Sequence, residues 1–395
     1  MNNKPDYRYI PIKKGYINKL YPWYLWVIDF WVLLLKINVS KTQKIKNYLK
    51  ELFKTNYIYF FDSGKSALVI ALMALDIKKG DDVCVSVFVC PDVIESIVTV
   101  KANPIFVDCE DDFLINVVDL KNKITKKTKC IITTNTYGFT EKDEIYRIAE
   151  ENNIRTISDL AQTLKIIDHG DISVYSVGPQ KILNTTGGGI LISKEKNLSE
   201  KIQSIMPNEY VSYGELVLMF LNRIKYYLTF FLLKYIKIIY ISKEKKQNDY
   251  NSSNIIKPKM MSNRTIYSIY FKIKNYGVYQ TKIKHKINKL NKCLEKFNWI
   301  KTPKSDTNSI NLYYTILLRD GLRYKLGLYL AEHGFQSTWN YIPVSWYLAY
   351  KNYYNETPNA FKLSEQVLSL PFMGLSNHEI EKMISIIENF EKELL

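Results

Sequence analysis

Three short stretches of this chain hold residues that could act together on one small molecule. At Ser63-Gly64-Lys65-Ser66 the apolar run YIYFF gives way to an amphipathic one. A glycine there lets the backbone turn closely into a helix whose first amides point outward, and such a helix start binds phosphate. In TISDLAQ (Thr156 to Gln162) an apolar run closes on Asp159. A carboxylate in that place is costly unless it meets a cation or a donor; the plainer alternative is a cap for the segment that follows. In SVGPQKILNTTGGG (Ser176 to Gly189) Lys181 stands on a turn just past one apolar run, and three glycines lead into the next. A lysine amine condenses with an aldehyde, an acid keeps a pyridine nitrogen protonated so that the ring can draw in electrons, and a helix start holds a phosphate. Phosphate cradle, acid, lysine is the order of parts in an enzyme that uses pyridoxal 5'-phosphate, and it is the order here.

The elements that must position these residues alternate in type. Five short β-rich runs (YIYFF, DDVCVSVFV, NPIFVDC, KCIITTNTYG, IRTISDLAQ) are separated by helical stretches from SGKSALVIALMALDI to EKDEIYRIAEENN, and two further strands follow in DISVYSV and GGGILIS. This alternation predicts an α/β domain with a mainly parallel sheet, and ligands then belong at the carboxyl ends of the strands. Beyond Lys194 the character changes. Residues 201–241 read as helical and apolar, 242–259 as a polar loop, and 262–294 as a long Lys- and Tyr-rich helical region. From Asn311 a strand, a helix, a strand-like run and a last helix make a smaller C-terminal α+β domain. The division expected is an N-terminal arm with an apolar helix (1–50), a large domain (51–250) with an apolar, basic helical insert at about 206–250, and an interface helix with the small domain (251–395).

Composition bounds the function classes. The chain has 395 residues, 47% of them hydrophobic, enough for a large core and two domains. Its 55 Lys+Arg against 39 Asp+Glu leave a formal charge of +16, which suits phosphorylated metabolites, a membrane surface or nucleic acid. The basic residues are spread along the chain rather than gathered into one arm, which argues against nucleic acid. Five cysteines without a CxxC pair and four scattered histidines argue against a disulfide framework, a zinc site or another metal centre. No short apolar region follows MNNKPDYRYIP directly, so no signal peptide is expected and the cytoplasm is the expected compartment. Two apolar segments, Pro22 to Lys36 and Val217 to Ile241, are interrupted by Asp29 and by Arg223, Lys225, Lys234 and Lys237. A membrane span needs about 20 uninterrupted apolar residues, and neither segment has them. They are either buried or subunit-interface helices, or peripheral helices at the inner membrane surface whose lysines reach anionic lipid.

Six stretches, SGKSAL, NPIFVDCEDDFLIN, TISDLAQ, YSVGPQK, YIP (Tyr341 to Pro343) and LSLP (Leu368 to Pro371), occur in that order. Together they resemble the SGTxAL, PxFVDxD, EDxAQ, SFxPxK, YxPL and LSLP marks of the DegT/DnrJ/StrS-type sugar aminotransferase family, which has the aspartate aminotransferase (type I) fold. The resemblance runs from about Phe61 to Ile202 and resumes from about Asn311. It implies that Lys181 anchors pyridoxal phosphate covalently and shuttles a proton, that Asp159 pairs with the pyridinium nitrogen, and that Gln162 sits near the ring hydroxyl. Ser63, Gly64, Lys65, Ser66 and Ser176 would surround the phosphate. It further implies a transaminase acting on a keto-sugar, typically nucleotide-linked, with glutamate as donor, in surface-glycan or related amino-sugar biosynthesis. A homodimer is implied too, because sites of this fold lie at the subunit interface.

This chain departs from the family in four places. Lys65 replaces the usual Thr; it either pairs with the phosphate or turns outward and leaves Ser66 to supply a hydroxyl. The aromatic that covers the ring falls at Cys90, with Phe88 two residues earlier. The contact expected from a partner subunit falls in KPKMMSNR, where Lys259, Asn263 or Arg264 would substitute. Residues 206–250 are unusually apolar and basic. Two other readings stay open: an enzyme of the same fold acting on a lipid-linked or non-sugar substrate at a membrane, and a non-catalytic relative. Substrate recognition is expected around Trp339 to Tyr341.

Overall fold

A computed structural model of the chain describes residues 9–11, 24–35, 39–164, 170–235, 238–240, 255–274, 276–302, 310–338, 341–353 and 356–394. Seven apolar runs pair into one sheet: β1 (Tyr57–Phe61), β2 (Asp82–Ser86), β3 (Asn103–Val107), β4 (Thr128–Thr134), β5 (Arg155–Asp159), β6 (Ile172–Ser176) and β7 (Gly189–Ser193). Their order across the sheet is β1-β7-β6-β5-β4-β2-β3. The pairs from β3 through β2, β4 and β5 to β6 are parallel; β7 runs antiparallel to both β6 and β1. Six strands therefore point one way and end on the same edge, where β7 begins.

The strands read as near-continuous hydrophobic runs because both faces are covered. On one face, Phe61, Val85, Ile132 and Ile157 share a core with the helix Gly64–Ala74 and the helix Pro91–Thr99. On the other side of the molecule, Ile58, Phe60, Ile190 and Tyr175 join Ile45 and Leu49 of the helix Val39–Leu52 and buried residues of the helices Asn263–Ile273 and Asn377–Leu394. Burying each such side chain contributes roughly 1.5–3 kcal/mol. Helix starts are set locally. Ser63, Asn116 and Ser262 accept a main-chain N–H of the first turn through their side chains, and Pro91 occupies the first turn after Cys90, where its missing N–H is not needed.

The C-terminal part carries a three-stranded antiparallel sheet in which Tyr314–Leu318 lies between Ile300–Lys301 and Val367–Leu370. Asp108, just past β3, accepts the N–H groups of Asn359 (3.0 Å) and Ala360 (2.9 Å), so it caps the helix Pro358–Gln366 from the carboxyl edge of the large sheet.

Several expected elements come out differently. The strand DDVCVSVFV stops at Ser86: Val87 N still donates to Val107 O, but Val87 O accepts from Val344 N in the C-terminal part. KCIITTNTYG stops at Thr134 and turns through Tyr137, whose φ is +57°. The helical region 201–241 is two helices, Lys196–Ser204 and Tyr213–Tyr235, followed by a strand Ile238–Tyr240 that pairs with Tyr9–Pro11. Its Ile-Ile-Tyr sequence suits a strand better than a helix end. Most of the expected polar loop, and Trp339 in the substrate region, lie outside the described residues. So do Pro22, Trp23 and Lys36, at the ends of the first apolar segment, whose middle forms the helix Tyr24–Leu34.

Candidate active site

The carboxyl edge gathers the residues singled out above. The cradle comes first. Ser63 Oγ accepts from Ser66 N at 3.2 Å and donates to Ser66 Oγ at 2.9 Å, which fixes the start of the Gly64 helix. A Cβ on Gly64 would fall 2.9 Å from the Cβ of Ser176, so the end of β6 closes directly on the helix start. A Cβ on Gly189 would meet Ser63 O at 2.2 Å and Gly64 N at 2.8 Å. The last of the three glycines is therefore a requirement of close backbone approach, not a second phosphate loop. Ser63, Gly64, Ser66 and Ser176 thus stand together.

The Lys65 side chain turns elsewhere. Its ammonium lies 3.6 Å from Glu95 and 4.0 Å from Asp92, both on the neighbouring helix Pro91–Thr99. Of the two alternatives for Lys65, outward pairing is the one observed, and only its main-chain amide remains at the helix start.

Asp159 ends β5 almost fully buried, and its Oδ1 accepts from Ala161 N at 2.9 Å. Burial raises its carboxyl above the ordinary range; the Ala161 hydrogen bond and the Lys181 charge oppose that, and Asp92 adds to it. Lys181 follows β6 in a loop that closes on itself. Thr185 N (2.8 Å) and Thr185 Oγ1 (2.7 Å) both donate to Val177 O, Lys181 N donates to Gly178 O, and Gln180 and Asn184 take positive φ of 63° and 45°.

Gln162 is clamped at both ends of its amide. Oε1 accepts from Tyr137 N at 2.7 Å, and Nε2 donates to the Tyr341 hydroxyl at 2.7 Å. Between Phe88 and Cys90 the difference is clear. Phe88 is buried in a ring cluster, stacked on Phe113 at 5.5 Å and edge-on to Tyr137 and Tyr341. Cys90 is partly open and within electrostatic reach of Lys181 and Asp159. Burial, with the charge of Asp92, pushes its thiol up to about 11, against the pull of Lys181.

Two of the three candidates for a contact across subunits, Lys259 and Arg264, are engaged within the chain. Lys259 pairs with Glu215 at 2.9 Å, and its N–H donates to Asp62 beside the end of β1. Arg264 donates to the carbonyls of Leu33 and Leu35 and lies over the Tyr213 ring, and Asn263 opens its helix.

Sequence reading missed Tyr137 and the pairing of Tyr341 with Gln162. The left-handed turn at Tyr137 leaves no mark in residue type, and the Gln162–Tyr341 bond joins positions far apart in the chain. It also missed that Asp29 and Arg223, read only as interruptions, are partners. An acid inside one apolar segment and an arginine inside another could have signalled it, since buried charges seek each other.

The donor set fits a phosphorylated pyridine aldehyde. The cradle offers hydroxyls and helix-start amides to a dianion. Asp159 Oδ2 has no protein donor among the described residues, so a protonated ring nitrogen would compensate a buried carboxylate. Lys181 supplies the amine, and it makes no hydrogen bond or ion pair through Nζ with a described residue.

Comparison with known proteins follows the same lines. The sequence profile of the DegT/DnrJ/EryC1/StrS aminotransferase family matches residues 36–211. Over 168 residues the chain is 31% identical to GDP-perosamine synthase of Escherichia coli O157:H7, covering 40% of this chain and 46% of that protein. Over 153 residues it is 33% identical to UDP-N-acetyl-3-dehydro-alpha-D-glucosamine 3-aminotransferase of Acidithiobacillus ferrooxidans, covering 36% and 42%. The matched stretch thus spans under half the length of these relatives. The fold is similar over nearly the whole chain to an aminotransferase from Psychrobacter cryohalolentis (TM-score 0.74, 19% identity, 95% of this chain and 98% of that one). It is likewise similar to a DegT/DnrJ/EryC1/StrS aminotransferase from Brucella abortus (TM-score 0.71, 20% identity, 93% and 95%). The likeness extends to the whole fold of these aminotransferases. Over the segment 36–211, the chain is similar to the DegT/DnrJ/EryC1/StrS aminotransferase family.

Proposed function

We propose that the protein is a pyridoxal phosphate-dependent aminotransferase that moves an amino group from an amino acid, glutamate in the first instance, to a keto-sugar carried on a nucleotide. The observation that carries this reading is the convergence of Lys181, Asp159 and the Ser63–Gly64–Ser176 cradle on one sheet edge, within a family segment whose relatives are named for amino-sugar synthesis. When bound, the cofactor supplies an aldehyde that carries the amino group and a ring that takes up electrons. The residues do the rest. Ser63, Ser66 and Ser176 hydroxyls and the amides of Gly64 and Lys65 bind the phosphate. Asp159 holds a proton on the ring nitrogen. Gln162, fixed by Tyr137 and Tyr341, would help orient the ring, and Cys90, which lies within electrostatic reach of Lys181, would be nearer to it than Phe88, which is stacked in its own ring cluster. Lys181 Nζ anchors the group and then moves the proton at the donor's Cα.

Lys181→Ala tests this. The wild type, reconstituted with pyridoxal phosphate, absorbs as a lysine-bound cofactor and releases 2-oxoglutarate from glutamate; the variant does neither. A wild type with no such absorbance would make the protein a non-catalytic relative, and a variant that kept it would remove Lys181 from the reading.

For partners we propose a second copy of the chain. Trp31, Leu34, Leu218 and Leu221 are 61%, 60%, 60% and 53% exposed on the helices Tyr24–Leu34 and Tyr213–Tyr235. This apolar surface also supports the alternative of an anionic membrane face, with Lys225 beside it. Among the described residues no helix is long and apolar enough to cross a membrane. Sedimentation distinguishes dimer from monomer, and vesicle flotation at low salt tests the membrane.

A further inference from the structure

The charges that interrupt the two apolar segments meet in one buried place. Asp29, on the helix Tyr24–Leu34, accepts from Arg223 Nη1 at 2.5 Å, from Lys272 Nζ at 2.8 and 2.9 Å, and from the Ser268 hydroxyl. Arg223 comes from the helix Tyr213–Tyr235, and Lys272 and Ser268 from the helix Asn263–Ile273. Side-chain exposure is 1% for Asp29, 6% for Arg223 and 0% for Lys272. Two cations face one carboxylate, one more than neutrality requires. Both also donate to a single acceptor: Arg223 Nη2 and Lys272 Nζ each lie 2.8 Å from the main-chain carbonyl of Asn184.

Asn184 is in the loop that carries Lys181. It holds a left-handed φ of 45°, uncommon outside glycine though asparagine adopts it more readily than most, and its side-chain nitrogen is buried without a partner among the described residues. The next residue, Thr185, locks the loop onto Val177. Desolvating three charges is a weak way to stabilise a fold, since apolar residues of similar volume often serve as well or better. What apolar residues cannot do is hold a strained carbonyl from two directions.

Resting on the reading of Lys181 as the cofactor-bearing lysine, we propose that Asp29, Arg223 and Lys272 are positioning residues: they clamp the Asn184 carbonyl and so hold the Lys181 loop in its reactive arrangement. The apolar segments thereby reach the active site from behind, without touching what it binds.

The chemistry of the cluster provides its own test. Arg223→Met and Lys272→Met each leave Asp29 in a balanced one-to-one pair and one donor on Asn184. The triple variant Asp29→Leu/Arg223→Met/Lys272→Met leaves no charge and no donor. The full-length proteins are incubated with pyridoxal 5'-phosphate, reduced with borohydride and mapped by peptide mass spectrometry, with exposed lysines as the internal reference and thermal melting measured in parallel. The expected result is a triple variant that melts at or above the wild-type temperature but labels Lys181 about tenfold or more slowly, with the single variants between. A folded triple variant that labels Lys181 at the wild-type rate overturns the proposal. So does unfolding of either charge-balanced single variant, which would assign the cluster to general stability. A wild type that fails to label at Lys181 overturns the functional reading itself, and this inference with it.

Discussion

Glu141 lies just past β4 with its carboxyl buried. It accepts from Lys142 N at 3.2 Å and weakly from Ile115 N at 3.5 Å, and so ties the loop after β3 to the loop after β4 behind the active-site edge. Burial is the first cause that pushes this carboxyl from an ordinary 4.5 up to about 8; the two backbone hydrogen bonds pull it down only in part. In the native state it is therefore protonated at pH 6, whereas in the unfolded chain it is ionised. Because the folded value is the higher one, its contribution to stability is fully present below pH 4.5. It is lost as pH rises through 8. At 1.36 kcal/mol for each tenfold in proton affinity, the whole loss is about 5 kcal/mol, of which roughly 3 kcal/mol has gone by pH 7. Glu141→Gln keeps the shape and an acceptor oxygen for Lys142 N, the shorter of the two bonds, but cannot ionise. Urea unfolding of both proteins from pH 5 to pH 8.5 should show the variant gaining on the wild type steadily, from near parity to an advantage of several kcal/mol; all other titrating groups cancel in the difference. A difference that stayed constant across this range would refute the reasoning, because it would mean that Glu141 titrates alike in the folded and unfolded chains.

Three further outcomes follow from the site. Gly189→Ala places a methyl group on the backbone of Ser63 and Gly64 and should weaken pyridoxal phosphate binding at least about tenfold in a fluorescence titration; wild-type affinity would show that the cradle does not depend on this approach. Gln162→Leu leaves the buried N–H of Tyr137 without its acceptor and should cost about 1–3 kcal/mol in urea unfolding, while Gln162→Glu, which keeps the acceptor, should cost less if its carboxyl stays neutral there. Cys90, with its thiol held near 11, should react with iodoacetamide at pH 8 about a hundredfold more slowly than a free peptide thiol; labelling as fast as the peptide would show that its surroundings are not those described.

The order of strands and helices from Tyr57 to Ser193 was legible because hydrophobic period and turn residues are local properties, and Lys181, Asp159 and Ser63–Gly64 were legible because each stands at a strand end. Sequence alone also pointed to residue types that could do such chemistry together: an amine, an acid and a helix start. Several things depended on the fold. Whether Lys65 faced a phosphate or Glu95 turned on where the helix Pro91–Thr99 packs. Whether Phe88 or Cys90 lay toward Lys181 turned on the strand ending at Ser86, one step earlier than its composition implied. Asp29 and Arg223, which looked like breaks in apolar segments, proved to be two parts of one buried cluster beneath the lysine loop. A residue's type limits the partners it can accept, but which of them it meets is decided by packing between elements far apart in the chain, and no local pattern records that.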